Sequence, residues 1–525
     1  MDFAAAVDQV ITQNMTALTK PGVLSVRPGY EATGGWLTRN PAIVVTVAHK
    51  SDLVVPQDRL PETLGGFPVD VRQADALQQM RAANPGLFAA AAATARPELE
   101  RPAFPFERDI TGQSLAPIAD SVAALRRPSK PQLDYRPPAD ATLDAIEDEF
   151  TLTCHASPDA GWTTLKPFLE GTRQRLTVGM YDLTSAHVLH TLEEAAAGKR
   201  LALMLDHPAP NKTRDQTDED SVSALRKALG DGFSFAWALE RGDPMAAKWT
   251  FPNAYHIKVA VRDGTAFWLS SGNWNNSNQP DIDPVGDPAG SAATAKRSDR
   301  DWHVIVEHEG LAKVYEAFLK NDLADALENQ TEPAEQAGLM AAIADLAQPA
   351  ESIAPRRFKT FFAPKKITAR MKIQPTLTPD NYVDFVLPFI ESARTSFWMQ
   401  TQYIHPSNKA GDEKLAALIE AVARKVKDGL DVRLIMSEFE TIDYLELLQD
   451  AGIDLAHVRI QANVHNKGMI VDGEVVALGS QNWSADGVIR NRDATLIIYN
   501  REAAQYWGQI FEHDWVNMAA QQAAD

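Results

Sequence analysis

Two segments of the chain carry the same reactive side chains at the same spacing. The first runs His256-Ile257-Lys258, Asp263-Gly264, then Ser270-Ser271-Gly272-Asn273-Trp274. The second runs His465-Asn466-Lys467, Asp472-Gly473, then Gly479-Ser480-Gln481-Asn482-Trp483. In both, Lys stands two residues after His, Asp seven, Ser fifteen, Asn seventeen and Trp eighteen. An imidazole can attack an electrophile or move a proton, and an ammonium holds an anion as a compact charge. Hydroxyl and amide groups add hydrogen bonds around it. Any one of these residues alone is more often a core or surface side chain. Two complete copies at matching places point to catalysis.

The elements that must position these groups are hairpins, because Asp-Gly between apolar runs is a two-residue hairpin signal. With Asp263 and Gly264 as the loop, His256 falls opposite Ser271; with Asp472 and Gly473, His465 falls opposite Ser480. The strand period of two then puts each His and Lys on a face shared with the Ser. Asp263 and Asp472 are therefore expected as turn formers. Each imidazole needs an acceptor on its other nitrogen, and Asp301 and Asp493 are the expected orienters. Asp301 follows His256 by 45 residues and Asp493 follows His465 by 28. The difference of 17 predicts an insertion at about 278–296, a stretch rich in Pro, Gly, Asp and Ala.

The hairpins sit in a longer repeat. LTVGMYDLT (176–184), a helical run and LALMLDH match SFWMQTQYI (396–404), a helical run and DVRLIMSEF. Alternating strands and helices predict α/β layers around a parallel or mixed sheet. The expected division is a small N-terminal α/β domain at 1–120, with strands at 23–26 and 42–49 and a helix near 87–95. A Pro- and Arg-rich linker at 121–144, a first lobe at 145–330, a linker at 331–356 and a second lobe at 357–525 follow. A chain of 525 residues, 45% hydrophobic, is long enough for several packed cores and excludes a disordered acidic polymer. One cysteine, Cys154, excludes an intrachain disulfide and a Cys-rich zinc module.

The doubled H-x-K-x4-D pattern with its following Ser and Asn resembles the phospholipase D superfamily over residues 145–525. The resemblance implies two α/β/α lobes related by a pseudo-twofold axis, with one active site between them. The second copy keeps the family pattern; the first has Ser270 where Gly is common, and a longer loop before Asp301. By the resemblance, His256 is the nucleophile that forms a phosphohistidine, and His465 protonates the leaving alcohol and then activates water. Symmetry of the motifs leaves the swapped order open. Lys258, Lys467, Asn273 and Asn482 would hold the phosphate oxygens, with Ser271 and Ser480 supporting and no metal or other cofactor needed.

The superfamily chemistry serves lipids and nucleic acids. A net charge of -19, without a Lys/Arg cluster near either hairpin, disfavours a track for successive phosphates. A phospholipid diester is the expected substrate, with a nuclease as the alternative and a non-catalytic phosphate-binding protein behind it. Trp274 and Trp483 are expected to wall the entrance, among further candidates Trp268, Trp302 and Trp398. No run of residues is long and apolar enough to span a membrane, which disfavours cardiolipin-type synthesis and leaves only transient membrane-surface contact. With no signal peptide in view, a cytoplasmic monomer is the default, with signal-free export or a processed mature chain left open. His49 is expected to be structural, and no phosphate loop of the ATPase kind or H-E-x-x-H zinc motif occurs.

Overall fold

The computed structural model describes residues 3–33, 36–48, 59–74, 78–79, 104–110, 135–206, 215–238, 251, 254–328, 358–407, 409, 411–438 and 440–521. The expected helix at 87–95, the linker at 331–356, His49 and the linker up to residue 134 lie outside these residues.

Residues near the N-terminus form their own sheet from β1 (Val23–Thr33), β2 (Trp36–Val47), β3 (Thr63–Leu64), β4 (Phe67–Gln73) and β5 (Arg108–Asp109), in the order β3-β4-β2-β1-β5. Val7 and Ile11, one turn apart on the helix Ala4–Gln13, pack with Val26, Ile43 and Val45 of this sheet. The unit docks on the helix Ile442–Asp450 through buried charge. Arg27 reaches Asp443 (3.0 Å) and Glu446 (2.5 Å), and Arg72 reaches Glu446 (3.0 Å).

The remaining strands form one sheet of fifteen. One set comprises β6 (Ile146–Ser157), β7 (Arg175–Met180), β8 (Arg200–Leu205), β9 (Phe233–Trp237), β10 (Val259–Arg262), β11 (Ala266–Ser270) and β12 (Asp301–Glu307). The second comprises β13 (Lys365–Thr378), β14 (Ser396–Thr401), β15 (Asp431–Ser437), β16 (Val458–Gln461), β17 (Lys467–Val471), β18 (Val475–Gly479), β19 (Asp493–Tyr499) and a short β20 (Ala520–Gln521). From the centre outward the first half reads β6-β12-β11-β10-β7-β8-β9 and the second β13-β19-β18-β17-β14-β15-β16, closed by β20. Apart from β20 the order is a palindrome about the antiparallel pair β6 and β13. β7, β8 and β9 run parallel, as do β14, β15 and β16, and the other pairs of the two halves are antiparallel, so the sheet is mixed.

Strand alternation sorts the side chains into layers. Val259 and Val261 of β10 face a core shared by both halves, which also holds Tyr315 of the helix Glu309–Glu328 and Trp507 of the helix Arg501–Asn517. Ala260, between them, faces the first half's outer helices. In β17 Ile470 faces the shared core, while Met469 and Val471 face the second half's outer helices. The two α/β/α halves are thus fused along one sheet and one core.

Two buried arginines clasp the halves. Arg300 pairs in a two-pronged way with Asp514 of the second half (2.8 and 3.1 Å) and also meets Asp159. Arg492 pairs likewise with Asp322 of the first half (2.7 and 2.6 Å) and meets Asp380 (2.7 Å). Planar guanidinium matches carboxylate geometry, so these pairs fix orientation as well as charge.

Candidate active site

The arginine clasps carry the adjoining aspartates across the interface. Arg300 N donates to Asn463 O (2.7 Å) and His465 N donates to Arg300 O (3.1 Å), so Asp301 arrives beside the second half's histidine. Arg492 N donates to Ala254 O (2.9 Å), which brings Asp493 beside the first half's histidine. His256 Nδ1 lies 2.8 Å from Asp493 Oδ1, and His465 Nδ1 lies 3.0 Å from Asp301 Oδ1. Each half therefore orients the other half's imidazole. Both Nδ1 atoms are taken, which leaves the two Nε2 atoms for chemistry, on rings whose centroids are 6.4 Å apart.

The serines hold the carboxylates. Ser271 Oγ donates to Asp301 Oδ1 (2.7 Å) and Ser480 Oγ to Asp493 Oδ1 (2.6 Å). Lys258 Nζ donates to His256 O (2.5 Å), and Lys467 Nζ to His465 O. Lys467 also lies 3.4 Å from Gln402 Oε1, whereas Lys258 sits 5.1 Å from the centre of the Tyr181 ring. That ring meets His256 edge-on at 5.0 Å. Asn273 and Asn482 are buried, and their side-chain oxygens have no partner among the described residues.

The electrostatics follow from burial. It drives His256 well below its ordinary value, helped by the charges of Lys258 and Lys467. Burial takes His465 down to about 4, again with Lys467 assisting and Asp301 opposing. Burial alone would raise Asp301, but the charge and hydrogen bond of His465 outweigh it and hold the carboxyl below the usual range. Asp493 goes the other way, pushed up to about 7 by burial despite Lys258. Lys258 is lowered to about 7 by the same desolvation. Both imidazoles are neutral near pH 7.

Three expectations need correction. The turns are at Asp-Gly, with Asp263, Gly264, Asp472 and Gly473 all at positive φ. One extra residue follows each turn on the returning strand, however, so Arg262 pairs with Ala266 and Val471 with Val475. The register moves by one: Lys258 faces Ser270, and Ser271 turns to Asp301 instead of standing opposite His256. The same shift separates Ser480 from His465. Trp274 and Trp483 do not wall an entrance, since they are 0% and 1% exposed in the outer helical cores, as Trp268 and Trp302 are buried too. The turn aspartates also tie each hairpin to the neighbouring strand. Asp263 accepts from the backbone N–H groups of Arg173, Gln174 and Arg175, and Asp472 from those of Arg394, Thr395 and Ser396.

Sequence reasoning missed Tyr181, Gln402, Arg300 and Arg492. The repeat itself held the signal for the arginines, which precede Asp301 and Asp493 in both copies. Tyr181 and Gln402 occupy matching strand ends, where no motif marks them. Among the described residues no group of three or more His, Cys, Asp or Glu side chains is arranged to hold a metal ion.

A family profile described as "Cardiolipin synthase, PLD-like domain" matches residues 386–515, which contain the second hairpin and Asp493. A phospholipase D of Rickettsia conorii is 30% identical over 156 residues, covering 29% of this chain and 72% of that protein. The chain belongs to the phospholipase D superfamily. It is a phospholipase D-like phosphodiesterase. A mitochondrial cardiolipin hydrolase of Xenopus tropicalis is 28% identical over 166 residues, covering 30% of this chain and 76% of the relative. The phosphatidylserine synthase of Haemophilus influenzae superposes with a TM-score of 0.47 and 14% identity, over 70% of this chain and 88% of that structure.

Proposed function

We propose that this member of the phospholipase D superfamily cleaves a phospholipid diester through a covalent phosphohistidine, without a metal ion. The observation that carries the proposal is the pair of facing imidazoles, each oriented through Nδ1 by the opposite half and each beside a lysine. A diester anion held by Lys258, Lys467, Asn273 and Asn482 would have its charge offset on both sides.

His256 is the proposed nucleophile. The bound diester anion offsets Lys467 and Lys258, two of the charges that hold His465 neutral, so that His465 takes up a proton at Nε2. The His256 Nε2 then forms a bond to phosphorus as the bond to the leaving alkoxide breaks, and the His465 imidazolium gives its Nε2 proton to that oxygen. His465 then removes a proton from water, whose oxygen attacks phosphorus and expels His256. The order is supported by the family pattern and by the firmly ionised Asp301, which favours an imidazolium at His465 over one at His256. An added primary alcohol in place of water would give transfer.

A lipid substrate is supported by the related phospholipase D and cardiolipin hydrolase, and by a net charge of -19 that repels a polyanion. The test is a competition assay in excess EDTA, offering mixed vesicles of phosphatidylcholine, phosphatidylglycerol and cardiolipin with ethanol alongside single-stranded and duplex DNA. Phosphatidic acid and phosphatidylethanol with intact DNA are expected. Cut DNA over untouched lipid would overturn the substrate assignment while leaving the two-histidine chemistry in place.

A further inference from the structure

Beneath the first hairpin runs a buried chain of polar groups that the chemistry above does not use. Gly272 N donates to Ser270 Oγ (2.7 Å), and Ser270 Oγ lies 2.6 Å from His303 Nδ1. His303 Nε2 lies 2.8 Å from Ser157 Oγ, which donates to the Asn278 carbonyl (2.5 Å). The Ser270 hydroxyl is also 3.1 Å from Gly272 O, but the shorter contact is to the ring. The shorter contacts set the direction. Ser157 gives its proton to a carbonyl, so its oxygen accepts from Nε2–H. Nδ1 is then the acceptor for the Ser270 hydroxyl, whose oxygen takes the Gly272 N–H. In this direction the ring is a neutral His303 in the Nε2–H form.

Its two ends are the two ends of the loop from Gly272 to Asn278. Inside that loop Asn273 N donates to Asn278 Oδ1 (3.2 Å), and Asn278 Nδ2 donates to Asp301 Oδ2 (2.7 Å) and Asp299 Oδ2 (3.0 Å). Gly272 leaves room for this approach, since a Cβ there would stand 2.6 Å from Asp301 Oδ2. Among the described residues the second half builds nothing equivalent. Gly479 replaces Ser270, and a Cβ at Gly479 would collide with Thr495, the counterpart of His303. Thr495 instead bonds Gln481, and Gly487 stands where Asn278 would be.

We propose that His303 is a positioning residue of the first half, whose neutral ring straps the Gly272–Asn278 loop so that Asn273 and the Asn278–Asp301 hydrogen bond stay aligned with His465 across the interface. The strap rests on the two-histidine reading given above. Burial holds His303 down to about 4 against the pull of Asp301, so the required neutral form persists through the working range. The charged or titratable groups facing it are Asp301 and Arg300, His465 of the other half, and His155 on β6, whose ring lies 5.0 Å away.

The full chain is tested as Ser270→Ala, Ser157→Ala, their double variant and His303→Leu, with His155→Asn as a control that cuts no link of the strap. Expected is a kcat for vesicle phosphatidylcholine at least about 10-fold lower in each strap variant, with KM within about 3-fold, because misplacing a reacting group is costly without weakening binding. The two serine losses should not add, since both cut one chain. In NMR titrations His465 should shift by half a unit or more in Ser270→Ala while His256 stays in place, a change that general destabilisation does not produce. Folded Ser270→Ala and Ser157→Ala with parental kcat and an unmoved His465 would overturn the strap. Retained activity in His256→Ala would instead overturn the two-histidine reading on which it rests.

Discussion

The two halves present the same groups to the interface and surround them differently. In the first, Asp301 takes donors from Ser271, His465 and Asn278 and stays ionised; in the second, Asp493 receives Ser480 and His256 and is pushed up to about 7 by burial. Lys258 lies by an aromatic ring, Lys467 by an amide oxygen. A duplicated motif therefore does not imply duplicated work. On the proposed mechanism, identical groups take the roles of acid and nucleophile through their second neighbours, much as two carboxylates in one site are driven to different roles by their surroundings.

The largest effect separates the histidines. His465→Ala should lose at least about 10²–10⁴ in rate with an alkyl leaving group and accumulate phosphorylated His256 from an activated aryl diester, detectable by mass spectrometry. His256→Ala should be as inactive and label nowhere. Label on His465 would reverse the assignment of the halves. Next come the crossed aspartates: Asp301→Asn should change the titration of His465, and Asp493→Asn that of His256, each with roughly 10²-fold or greater loss. A swap of those NMR responses would break the crossed pairing.

The clasps are a comparison in stability. Arg300→Leu leaves Asp159 and Asp514 buried without their cation, and Arg492→Leu does the same to Asp322 and Asp380. Each should cost about 3–5 kcal/mol in denaturant unfolding. The lysines predict a pH effect. Lys258 is charged below about 7 and neutral above it, so kcat/KM should fall as pH rises through that value. Lys258→Arg should move that limb to higher pH even at reduced rate. Smallest of all, Asp263→Asn and Asp472→Asn should each cost about 1 kcal/mol of stability and leave the chemical step nearly unchanged.

The parts of this molecule set by local sequence were readable. Asp-Gly marks both turns because Asp and Gly tolerate the positive φ found there, and the alternating apolar runs mark their strands. The insertion before Asp301 holds a short helix, Pro288–Ala295, within a loop. What failed depended on a single residue or on distance. Thr265 and Glu474 shift the register, and nothing in their types announces a bulge. Spacing names Asp301 and Asp493 but not whose histidine they meet, because the crossing is set by Arg300 and Arg492 reaching partners some two hundred positions away. Trp274 and Trp483 directly follow the motif asparagines Asn273 and Asn482, and adjacency suggested exposure. Chain direction turns them instead toward the outer helices.

The crossed orientation of the histidines also governs when the enzyme comes into being. A ribosome delivers His256, Lys258 and Asn273 long before Asp493, and a folded first half would hold His256 without the carboxylate that orients it. The shared sheet and core oblige both halves to close together, through pairings of high sequence separation that form slowly. On the proposed mechanism, cleavage would therefore switch on only when both halves have closed.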